Sequence, residues 1–222
     1  LKFLLLLLAL LQISAVQPAA WTMVVVAGSN DQHVFDNARK TAVAQFQGQV
    51  REVKQITTNA KLVDQFTRYA SIKALKKALR DNAGKCFLYL TSHGSRQGFA
   101  LGSDTLTPNE LDEILTEACP GPTVVIVSAC FSGTFAYGAM QKPNRIVLTA
   151  AAPDRTSFGC SNDLQYTFWD GCFLRNVAAA KTWEEAYNLT GQCVIALEHK
   201  LGAIPSGPLM YIGEQVTVDL FR

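Results

Sequence analysis

Two uninterrupted apolar runs in the chain end on residues of quite different character. Residues 122–133 (PTVVIVSACFSG) carry a β-branched run from Val124 to Val127, pass through the small residues Ser128 and Ala129, reach Cys130 and bend at Gly133. This pattern predicts a buried strand that presents a thiol at its C-terminal tip. Residues 86–94 (CFLYLTSHG) form a second run of the same kind, and its tip delivers His93.

The other hydrophobic periods order themselves around these two. Trp21–Ala27 is a continuous apolar run and a first buried strand, broken at Gly28. Phe35, Ala38, Ala42 and Phe46 recur on a helical period, which predicts a helix over 33–47 ended by Gly48. Residues 50–56 alternate and suit a strand near the sheet edge. An irregular stretch leads to an amphipathic helix over 71–80. Residues 97–106 hold two glycines among alternating apolar positions, as in a small hairpin or flap. Thr107, Pro108 and Glu110 make a capping box with proline at the first helical position, and Leu111, Ile114, Leu115 and Ala118 mark the inner face of the helix that follows. After the Cys130 strand comes a further strand at Arg145–Thr149 and a polar loop over 153–163. Two more helices follow, the second opened by Thr182 and Glu185. A turn and a short strand over 205–213 close the chain. Strands alternating with helices at this spacing predict an α/β fold, a mostly parallel sheet with helices on both faces.

Composition narrows the function classes. The chain has 222 residues, 49% of them hydrophobic, enough for one well-filled domain. Twenty basic residues against 18 acidic ones give a net charge of +2, which offers no electrostatic case for nucleic-acid binding. Lys73, Lys76, Lys77 and Arg80 lie opposite Ile72, Leu75 and Leu79 on a helical period and form a solvated face. Residues 1–20 stand apart: Lys2 precedes an apolar run from Phe3 to Leu11, and Ser14, Ala15, Ala19 and Ala20 follow. This is the pattern of a secretory signal peptide. It predicts a mature domain over 21–222, secreted or periplasmic, with no membrane attachment after the signal is removed. Leu1 in place of Met points to an alternative or clipped start. Six cysteines in an exported chain invite disulfides. Cys86 and Cys119 stand just before neighbouring strands and are the best pair; if Cys130 is a working thiol, at least one more cysteine stays unpaired.

Topology brings the thiol and the imidazole together. One helix separates their strands, and a right-handed crossover sets consecutive parallel strands side by side, about 4.8 Å apart. Both tips then open on the sheet edge where α/β folds place ligands. A thiol beside an imidazole gives up its proton more readily. The thiolate attacks a carbonyl carbon, and the imidazolium protonates the leaving amine. The backbone N–H groups of Cys130 and Gly94 are the natural donors to the oxyanion. The duller reading is a small buried cysteine and a turn histidine. Other chemistries fail by position. The site six residues after Cys130, where a cysteine phosphatase needs arginine, is Ala136. Ser128 and Ser132 stand where a nucleophile elbow needs glycines. No phosphate-binding glycine motif and no zinc spacing occurs, so neither a cofactor nor a metal is expected.

Ser92, His93 and Gly94, followed by residues 128–133 (SACFSG), resemble the catalytic His-Gly and Ala-Cys-x-Ser-Gly segments of the legumain family of cysteine peptidases, in the caspase-like clan. Residues 25–30 (VVAGSN) resemble the family's first strand and turn, and residues 151–160 (AAPDRTSFGC) its substrate-pocket loop. Phe35, Asp36 and Asn37, and the tail over 205–208 (PSGP), look like those of short bacterial members. The resemblance implies a caspase-like three-layer sandwich and peptide hydrolysis without cofactor on a polypeptide substrate. It implies His93 as general base and acid, Cys130 as nucleophile and Gly94 as oxyanion donor. It also implies pocket positions at Ser128, Thr156, Ser157 and Asp36. The pattern departs at three places. Ser128 stands where the family carries Glu. Asp36 and Asn37 stand where it carries Arg-His. Val34 falls where an asparagine orients the histidine, leaving Asn30 or Asn37 as substitutes. Asp36 would suit a basic residue before the scissile bond if it faces the pocket; otherwise it is a solvated residue of the helix start. The chain is expected to end with this domain, without the family's C-terminal inhibitory domain.

Two function classes follow. One is an exported cysteine endopeptidase working through a thioester acyl-enzyme, with a transpeptidase or ligase as its variant. The other is a catalytically silent peptide-binding or assembly domain on the same scaffold.

Overall fold

The computed structural model describes residues 21–80 and 84–221. The expected signal peptide lies outside the described residues. The elements run β1 (Trp21–Ala27), α1 (His33–Phe46), β2 (Glu52–Thr57), β3 (Thr67–Tyr69), α2 (Ile72–Arg80) and β4 (Lys85–Thr91). Then come β5 (Phe99–Leu101), β6 (Asp104–Leu106), α3 (Pro108–Ala118), β7 (Thr123–Ser128), β8 (Arg145–Thr149), α4 (Phe168–Asn176), α5 (Trp183–Leu201) and β9 (Leu209–Ile212).

Seven strands form one sheet in the order β3-β2-β1-β4-β7-β8-β9, parallel except for β9, which runs antiparallel to β8. β5 and β6 pair as a separate hairpin, as the glycines of that stretch led one to expect. The irregular stretch before α2 contains β3, which the hydrophobic pattern did not reveal: of its residues only Thr67 is buried. It takes the edge position, so β2 lies one strand in.

Period-2 alternation splits the sheet's residues between two cores. Met23, Val25, Phe87, Tyr89, Val124 and Ile126 point to the layer of α1, α4 and α5, where they meet Ala42, Phe46, Trp169, Phe173 and Trp183. Val24, Val26, Leu88, Leu90, Val125 and Val127 point to the layer of α2 and α3, against Leu75, Leu79, Leu111 and Leu115. This is the mostly parallel, three-layer α/β sandwich of caspase-like type. The Thr107 capping box forms as predicted, with the Glu110 carboxylate accepting from the Thr107 N–H. At α5 only half of the expected box is present. The Thr182 hydroxyl accepts from the Glu185 N–H, while the Glu185 carboxylate accepts from Lys181 instead.

Disulfides join Cys86 to Cys119, the pair expected from the strand starts, and Cys172 to Cys193, which ties α4 to α5. Cys130 and Cys160 are free.

Candidate active site

The strand order puts β1, β4 and β7 in the middle of the sheet, and the chain reverses its direction of winding between β1 and β4. A crevice at the carboxyl ends of such strands is where α/β sheets hold ligands. Thr91 is paired with Ser128 at the end of the β4–β7 ladder. His93 and Cys130 each lie two residues further on, just past the ends of β4 and β7. Both are half-buried.

Gly94 makes that approach possible. A Cβ on Gly94 would stand 2.0 Å from the Cys130 carbonyl oxygen and 3.0 Å from the Ala129 Cβ, so only glycine lets the two tips touch. Gly94 also forms a bridge with Phe99, closed by the Ser95 N–H donating to the Gly98 oxygen at 2.9 Å and the Ala100 N–H donating to the His93 oxygen at 3.0 Å. In a bridge closed by its flanking residues, the N–H of Gly94 itself points away from the partner strand. Among the described residues, neither the Gly94 N–H nor the Cys130 N–H donates to another backbone group.

The sulfur of Cys130 meets the loop after β8. The Ser157 N–H donates to it at 3.3 Å, and the Ser157 hydroxyl and carbonyl oxygens both lie 3.6 Å away. The turn carrying the cysteine is fixed around it. Phe131 adopts a left-handed φ of 57°, and its N–H donates to the Arg155 carbonyl at 2.8 Å. The Ser132 hydroxyl accepts from the N–H groups of Ala150 and Ala151.

The imidazole of His93 is held from two sides. Phe35 of α1 packs against its ring edge-on at 5.0 Å. Its Nε2 lies 2.8 Å from the Asp31 carboxylate, which belongs to the loop after β1. Burial tends to raise the pKa of Asp31. The hydrogen bonds from Ser29 and His93, the charge of His93 and the Gln32 N–H together outweigh it and hold the carboxyl below its ordinary value. The expected substitutes for the orienting residue take no such part. Asn37 donates to the Gln165 carbonyl at 3.1 Å, and Asn30 is exposed. Val34 is buried beside Ala27, Phe35 and Cys160.

The expected pocket residues separate. Ser157 meets the sulfur, and Thr156 beside it is exposed. Asp36 is buried, pairing with the Arg39 guanidinium at 2.8 Å and accepting from the Thr57 hydroxyl at 2.9 Å. It is neither a solvated helix-start residue nor a free anion. Its charge is taken up inside the fold, on the side of α1 that meets β2. Ser128 is buried, with its hydroxyl 3.4 Å from that of Thr167. Below it lies a carboxylate the sequence did not single out. Asp170 of α4 accepts from the hydroxyls of Tyr89 and Thr91 at 2.7 Å and from that of Thr167 at 2.9 Å. Full burial raises its pKa in spite of those donors. In sequence, Thr167 and Asp170 look only like a helix cap, which they also form. Cys160 is a different thiol from Cys130: burial first, then the nearby Cys130, Asp170 and Asp31, push it up to about 12.

The family model described as the Peptidase C13 family matches residues 47–192, about two-thirds of the chain. His93, Cys130, Ser157 and Asp170 lie inside that segment; Asp31 lies before it. No curated protein matches the chain.

Proposed function

Because the chain belongs to the Peptidase C13 family, and so to proteins of cysteine peptidase type, we propose that it is an endopeptidase that cleaves peptide bonds through Cys130 and His93. The observation that carries this reading is the register of β4 and β7. Thr91 and Ser128 are its last pair, His93 and Cys130 each follow two residues on, and among the described residues the N–H groups of Gly94 and Cys130 donate to no backbone group.

The chemistry runs as follows. Asp31 accepts the Nε2 proton of His93, so Nδ1 is the nitrogen left to take the proton of Cys130. The thiolate attacks the peptide carbonyl carbon; an S–C bond forms, and the carbonyl π electrons move to oxygen. The N–H groups of Gly94 and Cys130 donate to that oxyanion. Collapse re-forms the carbonyl and breaks the C–N bond, and the imidazolium gives its proton to the departing amine. A thioester remains on Cys130. Water then attacks it, losing a proton to His93; the C–S bond breaks, the acid is released and the thiol is restored.

Export belongs to the same proposal. The apolar run from Phe3 to Leu11 supports it, and so do two disulfides, which persist in oxidising compartments.

Cleavage of a mixed peptide library by the purified protein and by Cys130→Ala tests the assignment. Wild type is expected to cut and the variant to lose at least about a thousandfold of the rate, the scale of removing a nucleophile. At neutral pH, iodoacetamide is expected to label Cys130 and leave Cys160 untouched, since a thiol near 12 is almost wholly protonated there. Cleavage retained by Cys130→Ala would overturn the proposal.

A further inference from the structure

The turn that follows His93 and the residue that follows Cys130 meet. The guanidinium of Arg96 lies over the ring of Phe131, 5.7 Å from its centroid. Nothing in the catalytic steps uses either side chain. We propose that Arg96 and Phe131 form a subsite for the first residues on the leaving side of the scissile bond, and that it favours acidic side chains there. This rests on the endopeptidase reading and adds to it the preference of one side of the cleft.

Three observations carry the proposal. The first is position. β4 and β8 flank β7 on opposite sides. The loop after β8 brings Ser157 to the sulfur, and His93 stands on the loop after β4, on the other side of β7. The imidazole that protonates the departing amine must stand beside the leaving segment. Residues just beyond His93 therefore border that segment, and Arg96 is three positions on.

The second is backbone conformation. Phe131 has a left-handed φ of 57°, uncommon and unfavourable for a bulky residue. Its N–H is tied to the Arg155 carbonyl on the β8 side, while its partly exposed ring meets Arg96 on the β4 side. The turn thus holds an aromatic surface next to the nucleophile, where the smallest residues would relieve the backbone.

The third is charge. Arg96 is exposed, and among the described residues it has no carboxylate partner. A guanidinium laid on an aromatic face keeps its N–H donors at the rim for an incoming anion. An acidic side chain one or two residues beyond the cut would meet two or more of these donors. A lysine or arginine there would be repelled.

The test is positional. An amine-blocked peptide library is digested, the cuts are mapped by mass spectrometry, and acidic and basic residues are compared at the first two positions after each cut. Wild type is expected to favour acidic over basic residues there by about 3- to 10-fold at low salt, the scale of an exposed charge pair, and less at 0.5 M salt. Arg96→Glu is expected to reverse the order, and Arg96→Gln to flatten it. Phe131→Asn keeps a residue that tolerates left-handed φ and removes the ring; it is expected to weaken the preference. Cuts made by wild type without preference, or a profile unmoved by Arg96→Glu, would overturn the subsite alone. A wild type that cuts no peptide would instead remove the endopeptidase reading, and the subsite with it.

Discussion

The Nε2 atom of His93 stands 2.8 Å from Oδ2 of Asp31, a residue three positions before the one where the family pattern places its orienting asparagine. The two arrangements differ in kind. An amide positions an imidazole; a carboxylate also stabilises it when it is charged. Asp31 reaches the ring from the end of β1, the strand beside β4, so the contact crosses the point where the sheet reverses its winding.

Asp31→Asn keeps the shape and removes the charge, whereas Asp31→Ala removes both. At pH 7 the first is expected to lower kcat/KM several-fold and the second by roughly 10- to 100-fold, within the range of a lost general-base contribution. The sign with pH follows from the lowered pKa of Asp31. Its stabilising contribution is complete above the ordinary carboxylate value and is lost as pH falls through the lowered value. Denaturant midpoints of wild type and Asp31→Asn should therefore differ by a constant amount above about pH 5 and converge in stronger acid. Because the carboxylate is 57% exposed, that difference should be small and shrink with salt. Equal kcat/KM for all three proteins would show that His93 needs no such partner.

Asp170 titrates in the opposite sense. Burial raises its pKa, so the folded protein keeps the carboxyl neutral to a higher pH than the unfolded chain does. Stability contributed at this site is greatest in acid and falls as pH rises from the ordinary value of 3.8 through the raised one. Relative to Asp170→Asn, wild type should be most stable at the acid end of a pH series of urea melts and lose ground toward neutrality. Asp170→Ala is a harsher change. It leaves the hydroxyls of Tyr89, Thr91 and Thr167 without their acceptor and should cost about 2–4 kcal/mol. A pH-independent difference between wild type and Asp170→Asn would mean that the carboxyl titrates in the fold as it does in the unfolded chain, and that burial does not raise it.

The parts of the site legible in the sequence were those written in apolar runs. β1, β4 and β7 are nearly unbroken, so their ends, their neighbours and the common edge of His93 and Cys130 followed from period and crossover handedness. The pairing of Cys86 with Cys119 followed from the same strand starts. What stayed hidden were polar contacts between segments distant in sequence. Asp31 lies 62 residues from His93, in a turn whose composition says only that the chain bends. Asp170 lies 79 residues from Thr91, in a helix start that local rules explain completely. Asp36 shows the reverse case. A charge at a helix start looks solvated until a tertiary partner appears, here Arg39 three residues on, with Thr57 from β2. β3 was hidden because an edge strand of three residues, two of them exposed, has no alternation to display.

Gly94 offers the most direct test of how the two tips are joined. Any side chain there must displace the backbone of Cys130, since a Cβ would come within 2.0 Å of its carbonyl oxygen. Gly94→Ala is expected to push the tips apart by an ångström or more, moving the imidazole, the sulfur and both proposed oxyanion donors out of alignment. A displacement of that size costs on the order of 100-fold in rate, and the overpacking should cost about 1–3 kcal/mol in stability. Gly48→Ala is the control, because a Cβ at Gly48 meets nothing within 4 Å. Peptide cleavage and thermal melting of both variants separate the outcomes. Gly94→Ala should stay folded at 25 °C with activity nearly gone, while Gly48→Ala should match wild type in both. If Gly94→Ala retained full activity, the tips would have to move independently of one another, and the contact between Gly94 and Cys130 would have no part in aligning the catalytic groups.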